Sequence, residues 1–109
     1  MQIAFETKGS VLTAHLEGEL DQHCASAVRT MIDKKVRTEK GIKLLILELG
    51  GISFMDSSGI GVILGRYKLM RDMDGELMIT NAPRETEKLL KLSGVYSLLD
   101  KKRRGRANG

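Results

Sequence analysis

Apolar and polar residues alternate at the start of the chain, with the two-residue period of strands that bury one face. The apolar members of this series are Ile3, Phe5, Leu12, Ala14, Leu16 and Leu20. Lys8-Gly9 provides a turn between the two runs. Two such runs joined by a short turn predict an antiparallel hairpin.

After the hairpin the spacing changes to that of an amphipathic helix. Asp21 can cap this helix at its start, and Gly41 ends the segment. The residues expected to face inward are Cys24, Ala27, Val28, Met31, Ile32 and Val36, with Arg29, Asp33, Lys34 and Arg37 outside. Residues 42–49 are nearly all apolar, which favours a central strand covered on both faces. Gly50-Gly51 is expected to break that strand, with Ile52 and Phe54 returning to the core.

The remaining elements alternate in the same way. We predict a helix over about residues 57–71, a strand over 77–80, and a helix opened by Pro83 and stopped by Gly94. In this last helix Leu89, Leu90 and Leu92 are expected to face inward. Residues 95–99 fit either a short strand or a turn of helix.

The order of these elements predicts an α/β fold. Right-handed strand–helix–strand crossovers make the later strands parallel. We expect a mixed sheet of four or five strands, with three or four packed helices.

Composition limits the possibilities further. The chain has 109 residues and a net charge of +4, which fits one domain. Five basic residues lie in the segment 101–109, which leaves 13 basic against 14 acidic residues elsewhere. We therefore expect a near-neutral domain over residues 1–100 and a basic, disordered tail over 101–109. The single cysteine and the absence of a long apolar stretch predict a cytoplasmic protein without a structural metal or a membrane span.

The segment Met55-Asp56-Ser57-Ser58-Gly59-Ile60-Gly61 carries the clearest functional signal. At about 100° per residue, one side of the predicted helix bears Ile60, Ile63, Tyr67 and Met70. Ser58 then points away from this buried side, whereas Ser57 points sideways and can cap the helix.

The outer face is expected to contain Gly59, Gly61, Val62, Gly65, Arg66 and Leu69 near Ser58. Three glycines in a helix reduce its stability, and they leave a smooth, partly apolar surface suited to docking. The alternative is that the glycines allow close packing against a neighbouring element. A phosphate on Ser58 would suit the positive end of the helix dipole. Alternatively, Ser57 and Ser58 are ordinary N-terminal helix residues.

Residues 54–68, from Phe54 to Lys68, resemble the signature of the STAS-domain anti-sigma factor antagonists, most closely the stage II sporulation type. Gly18-Glu19-Leu20-Asp21 and Leu92-Ser93-Gly94 are similar to two further blocks of that family. The resemblance covers roughly residues 1–100.

The resemblance implies a regulatory protein and not an enzyme. It implies that an anti-sigma factor, itself a serine kinase, phosphorylates Ser58. The unphosphorylated form would bind this kinase and release the sigma factor, the phosphorylated form would not bind, and a PP2C-type phosphatase would reset the switch. Partner contacts are expected at Asp21 and around the serine, at Asp56, Ser57, Gly59, Gly61, Val62, Gly65 and Arg66.

Other functions have weaker support in the sequence. His15 and His23 lie outside any recognisable catalytic triad pattern. The spacing Gly59-x-Gly61-x-x-x-Gly65 only approximates a dinucleotide loop, so nucleotide binding remains an alternative, as does a general stress-response module. The tail lacks interleaved aromatic residues, so it predicts at most non-specific attraction to nucleic acid. No cofactor is expected.

Overall fold

The computed structural model describes residues 1–99. The strands are β1 (Gln2–Lys8), β2 (Val11–Leu20), β3 (Leu44–Met55) and β4 (Glu76–Thr80). The helices are α1 (Ala25–Thr38), α2 (Ser57–Asp72), α3 (Arg84–Ser93) and a short helix α4 over residues 95–99. The expectation of a disordered basic tail falls on residues 101–109, outside the described part of the chain.

The four strands form one mixed sheet in the order β1-β2-β3-β4. β1 and β2 pair antiparallel, with Phe5 opposite Ala14. β2 pairs with β3 and β3 with β4 in parallel, so that Leu12, Leu45 and Leu77 lie side by side. The predicted fold class is confirmed, with four strands and four helices among residues 1–99.

One face of the sheet carries the core. Its inward residues on β2 and β3 are Leu12, Ala14, Leu16, Leu45, Leu47 and Leu49. These pack with buried residues of α1 and α2 in a single apolar cluster. The opposite face, which includes Thr13, His15, Ile46 and Met78, is only half-buried. The prediction that residues 42–49 are covered on both faces is therefore wrong.

The second half of β3 also differs from the prediction, because the strand continues through Gly50-Gly51 to Met55. The register between β2 and β3 shifts after His15, and a Cβ at Gly51 would lie 3.0 Å from the Leu16 carbonyl oxygen. Gly51 thus permits a close, irregular approach between two strands instead of ending one.

Some apolar residues expected in the core lie on the surface. Phe54 is 50% exposed, Met31 is 47% exposed and Leu92 is 86% exposed. The inward face of α1 is narrower than its apolar residues suggest, with Val28, Ile32 and Val36 buried. In α3, Leu90 is fully buried while Leu89 is half-buried. An apolar side chain is not required to be inside, so periodicity overestimated the core here.

Candidate functional site

Helix α2 begins with an aspartate cap. Asp56 has an extended backbone, and its side chain accepts a hydrogen bond from Ser58 N at 2.8 Å. The Asp56 carbonyl oxygen also accepts hydrogen bonds from Gly59 N at 3.0 Å and from Ile60 N at 3.4 Å. The prediction that Ser57 caps this helix is wrong, because the cap is the preceding residue, Asp56, whose carboxylate accepts the hydrogen bond from the Ser58 amide.

The two serines at this helix start differ in their surroundings. Ser57 is exposed, whereas Ser58 is half-buried, so the expectation that Ser58 is the more exposed of the two serines is wrong. Ser58 lies on the side of α2 that faces α1, where the two helices border a groove. Within residues 1–99, its hydroxyl takes part in no hydrogen bond, although its backbone amide is engaged.

Three residues predicted to point outward are buried. Val62 is 4% exposed and Arg66 is 5% exposed, and Gly59 is also buried. Helix α2 packs against α1 as well as against β3 and β4, so its buried face is wider than the stripe containing Ile60 and Ile63 suggests. Gly59 and Arg66 are therefore covered, and Val62 reaches the surface only at the edge of the groove beside Ser58, in contrast to the outward position predicted for them.

The glycines of α2 divide into two kinds. A Cβ at Gly59 would overlap the Met55 side chain and would lie 3.2 Å from Leu20 Cγ. The packing alternative is thus correct for Gly59. Gly61 is exposed and Gly65 half-buried, and a Cβ at either would meet nothing within 4 Å. Packing does not explain these two, so a smooth surface beside Ser58 remains the better interpretation for them.

Arg66 joins α2 to α1 through an ion pair. Its Nε lies 2.8 Å from Asp33 Oδ1, although the two atoms are not aligned as a hydrogen bond, and Arg66 Nη1 has no partner among residues 1–99. Burial lowers the pKa of Arg66, Asp33 opposes this effect, and the positive charges of Arg29 and Arg37 add to it. The boundary between the two helices therefore carries more positive charge than Asp33 balances.

The groove beside Ser58 has a volume of about 360 Å³. It is lined by Gln22, Ala25, Ser26, Arg29, Ser58, Gly61 and Val62. Sequence reasoning placed Arg29 merely on the outside of its helix. A periodic pattern shows which residues face the core, but it does not show which outer residue of one helix meets a neighbouring helix.

Asp21 does not cap α1 directly. The helix begins at Ala25 after Cys24, whose side chain makes no capping hydrogen bond. Asp21 instead accepts a hydrogen bond from His23 N at 2.9 Å in the preceding turn. Burial raises the pKa of Asp21, but hydrogen bonds from the His23 and Cys24 amides and the charge of His23 outweigh it, so the net pKa is lowered. Asp21 is not among the residues that line the groove.

The histidines lie apart from this groove. His15 is on the half-buried face of the sheet, where Nε2 lies 3.7 Å from Glu6 Oε1 and Nδ1 lies 3.5 Å from Glu48 Oε2. His23 Nδ1 lies 3.6 Å from Asp21 Oδ1. Across residues 1–99, no group of three or more His, Cys, Asp or Glu side chains is placed to hold a metal ion. In the same part of the chain, no helix has the length and hydropathy of a membrane span.

Residues 2–104 match the STAS domain family. The chain is 37% identical to the anti-sigma F factor antagonist of Paenibacillus polymyxa over 99 residues, which cover 91% of this chain and 84% of that relative. The chain belongs to the STAS-domain anti-sigma factor antagonists. The family resemblance of residues 54–68 is thereby confirmed.

The STAS fold is also found in solved structures of this family. The anti-sigma factor antagonist SpoIIAA in its unphosphorylated form superposes with a TM-score of 0.76 at 28% identity, covering 85% of this chain and 81% of SpoIIAA. The phosphorylated form of the Bacillus cell fate determinant SpoIIAA gives a TM-score of 0.70 at 27% identity, covering 88% of this chain and 86% of that one. The chain is thus similar to a protein solved in two phosphorylation states.

Proposed function

We propose that this anti-sigma factor antagonist is a partner switch controlled by a phosphate on Ser58. The unphosphorylated chain binds an anti-sigma factor serine kinase and so releases its sigma factor. The kinase phosphorylates Ser58, the phosphorylated chain no longer binds, and a PP2C-type phosphatase restores the first state. The protein itself is a regulator and not an enzyme.

The position of the Ser58 hydroxyl carries this proposal. It lies at a groove between two helices, takes part in no hydrogen bond within residues 1–99, and has the bare backbone of Gly61 beside it. The open space at Gly61 leaves room for a kinase active site beside this hydroxyl. The similarity to SpoIIAA, which is solved with and without phosphate, supports the same interpretation.

The docking surface that we propose is smaller than the sequence suggested. It comprises Ser57, Ser58, Gly61, Gly65 and the exposed Leu64 of α2, together with the neighbouring groove residues of α1. Asp56 lies at the edge of this surface, where it caps the start of α2. Asp21 is placed at the periphery of the surface, because it does not line the groove. A phosphate of charge near −2 at the centre of this surface would repel acidic groups of the partner and fill the groove.

The test is phosphorylation by the cognate kinase, with the two adjacent serines as matched variants. We expect the native chain and Ser57→Ala to acquire one phosphate, located on Ser58 by mass spectrometry, and Ser58→Ala to acquire none. Equal phosphorylation of Ser58→Ala would show that the site assignment is wrong. Ser57 is the appropriate control because it is the more exposed of the two serines.

Binding of the same variants to the kinase tests the switch itself. Ser58→Ala should bind as tightly as the unphosphorylated native chain. Ser58→Glu should bind at least about tenfold more weakly, a loss of about 1.4 kcal/mol or more, because a negative charge placed opposite acidic groups of the partner is repelled. If Ser58→Glu bound as well as Ser58→Ala, the phosphate would not control binding by its charge.

Nucleotide binding at the start of α2 is less well supported by this geometry. The Asp56 carboxylate already accepts the Ser58 amide hydrogen, so an acid occupies the place where a nucleotide phosphate would be expected to bind.

A further inference from the structure

The groove beside Ser58 contains one charged side chain. Of its seven lining residues, α2 supplies Ser58, Gly61 and Val62, and the remainder come from α1 and the turn before it. Arg29 is the only one of the seven with an ionisable side chain. A group attached to Ser58 would therefore share its groove with a guanidinium.

Three of the first four amides of α2 are already engaged before any phosphate is added to Ser58. Ser58 N donates to the Asp56 side chain, and the next two amides donate to the Asp56 carbonyl oxygen. The Asp56 carboxylate also adds a negative charge two residues away. Because the Asp56 carboxylate already lies at this helix start, a cation from another element would stabilise a phosphate here.

Arg29 is free to supply that cation. None of the ion pairs formed within residues 1–99 includes Arg29. Asp33, one helical turn further along α1, already pairs with Arg66. Arg29 lies near enough to Arg66 to lower its pKa, so the positive charge on this side of the groove is not neutralised.

We propose that Arg29 binds the phosphate carried by Ser58, across the groove between α1 and α2. This inference rests on the proposed function only in taking Ser58 to be the modified residue. A guanidinium can donate two parallel hydrogen bonds to phosphate oxygens. The contact would cross-link α1 to the start of α2 and fill the groove, so that a partner meets a closed surface with its charge partly neutralised.

The test introduces phosphoserine at position 58 during protein synthesis, without the kinase, and follows the phosphate by ³¹P NMR as a function of pH. A nearby cation stabilises the dianion, so the second phosphate pKa should be lower in the native background than in Arg29→Gln by about 0.5 unit, a partly screened opposite-charge effect. Arg29→Lys keeps the charge but lacks the planar guanidinium, so its phosphate pKa should lie between those of the native and Arg29→Gln proteins.

Arg71→Gln is the matched control, because Arg71 is an exposed arginine near the far end of α2. Its phosphate should titrate as in the native background. Identical titration of the native and Arg29→Gln proteins would overturn the proposal. An equal rise of the phosphate pKa in Arg71→Gln would also overturn it, since the effect would then come from the overall positive charge of the domain and not from a contact with Arg29.

Circular dichroism of each variant checks that the fold is retained, as expected for an exposed side chain. The kinase assay tests the proposed function and the titration tests the Arg29 contact, so either result can be negative without the other. Absence of phosphorylation by the kinase would refute the proposed function while leaving the Arg29–phosphate contact measurable.

Discussion

At the scale of single residues, the surroundings of Ser58 are set by its neighbours in the chain and across the groove. Asp56 holds the Ser58 amide at 2.8 Å, which fixes the backbone and leaves the hydroxyl unengaged. The lack of a side chain at Gly61 leaves open space beside it, and Arg29 lines the same groove. A hydroxyl that is positioned but not hydrogen-bonded is suited to modification without local refolding.

Adjacent positions on α2 should separate binding from folding. Gly61→Arg places a bulky cation in open space, so it should weaken kinase binding by at least about tenfold while the fold remains intact. Val62→Glu places a carboxylate in a site that is 4% exposed, so it should reduce the free energy of unfolding by roughly 3–5 kcal/mol. Urea unfolding and binding titration distinguish the two effects.

The interpretation of the groove would be contradicted by the opposite pattern. Full binding by Gly61→Arg would remove that position from the docking surface. Native stability of Val62→Glu would show that α2 is rotated, with Val62 on the outer side as the sequence had indicated.

At the scale of elements, α2 shows where periodicity succeeds and where it fails. Spacing correctly assigned Ile60, Ile63, Tyr67 and Met70 to the buried side. It missed Val62 and Arg66 because a second surface, α1, also covers this helix. The regular spacing of large apolar residues identifies the side of α2 that packs on the sheet. The side that packs on α1 consists of glycine, valine and arginine, and this composition does not predict a buried surface.

The two kinds of glycine in α2 predict opposite effects of the same substitution. Gly61→Ala adds a methyl group in open space, so it should stabilise the domain by about 0.5–1 kcal/mol through helix propensity. Gly59→Ala forces the methyl group against Met55 and Leu20. It should destabilise by about 1–2 kcal/mol, because overpacking exceeds the gain in propensity.

Thermal or urea unfolding of the two alanine variants, measured in parallel, gives the sign of each change directly. Stabilisation by both would mean that Met55 can move aside at little cost. The close packing would then not be the reason for glycine at position 59.

At the scale of the whole molecule, the order of the elements along the chain and the directions of the strands could be predicted, because they follow from local periods and the handedness of crossovers. The depth of burial could not. Phe54 and Leu92 are apolar but exposed, and the second sheet face is half-open although residues 42–49 read as a fully buried strand. Which surfaces remain uncovered depends on where the helices pack, and here α1 and α2 both cross the same face of the sheet.

Glu48 lies on the half-buried face of the sheet, and its ionisation makes the stability of the fold depend on pH. This carboxylate accepts a hydrogen bond from Gly50 N at 2.7 Å and lies 3.5 Å from His15 Nδ1. Burial raises the pKa of Glu48, but the hydrogen bonds from Gly50, Asn81 and His15 and the charge of His15 outweigh it, and the net pKa falls below 4.5. A folded-state pKa below the unfolded value stabilises the fold above about pH 4.5, and this contribution is lost as the pH falls through the folded pKa.

Glu48→Gln should therefore be less stable than the native chain near pH 7, and the difference should shrink as the pH falls through the folded-state pKa of Glu48 and its carboxylate takes up a proton. Glutamine is nearly isosteric and keeps an oxygen that can accept the Gly50 amide hydrogen, so the comparison isolates the charge. Urea unfolding at a series of pH values measures the difference. A difference in the free energy of unfolding that stayed constant from pH 7 to well below the folded-state pKa of Glu48 would show that its charge contributes nothing to joining β2 and β3 on this face.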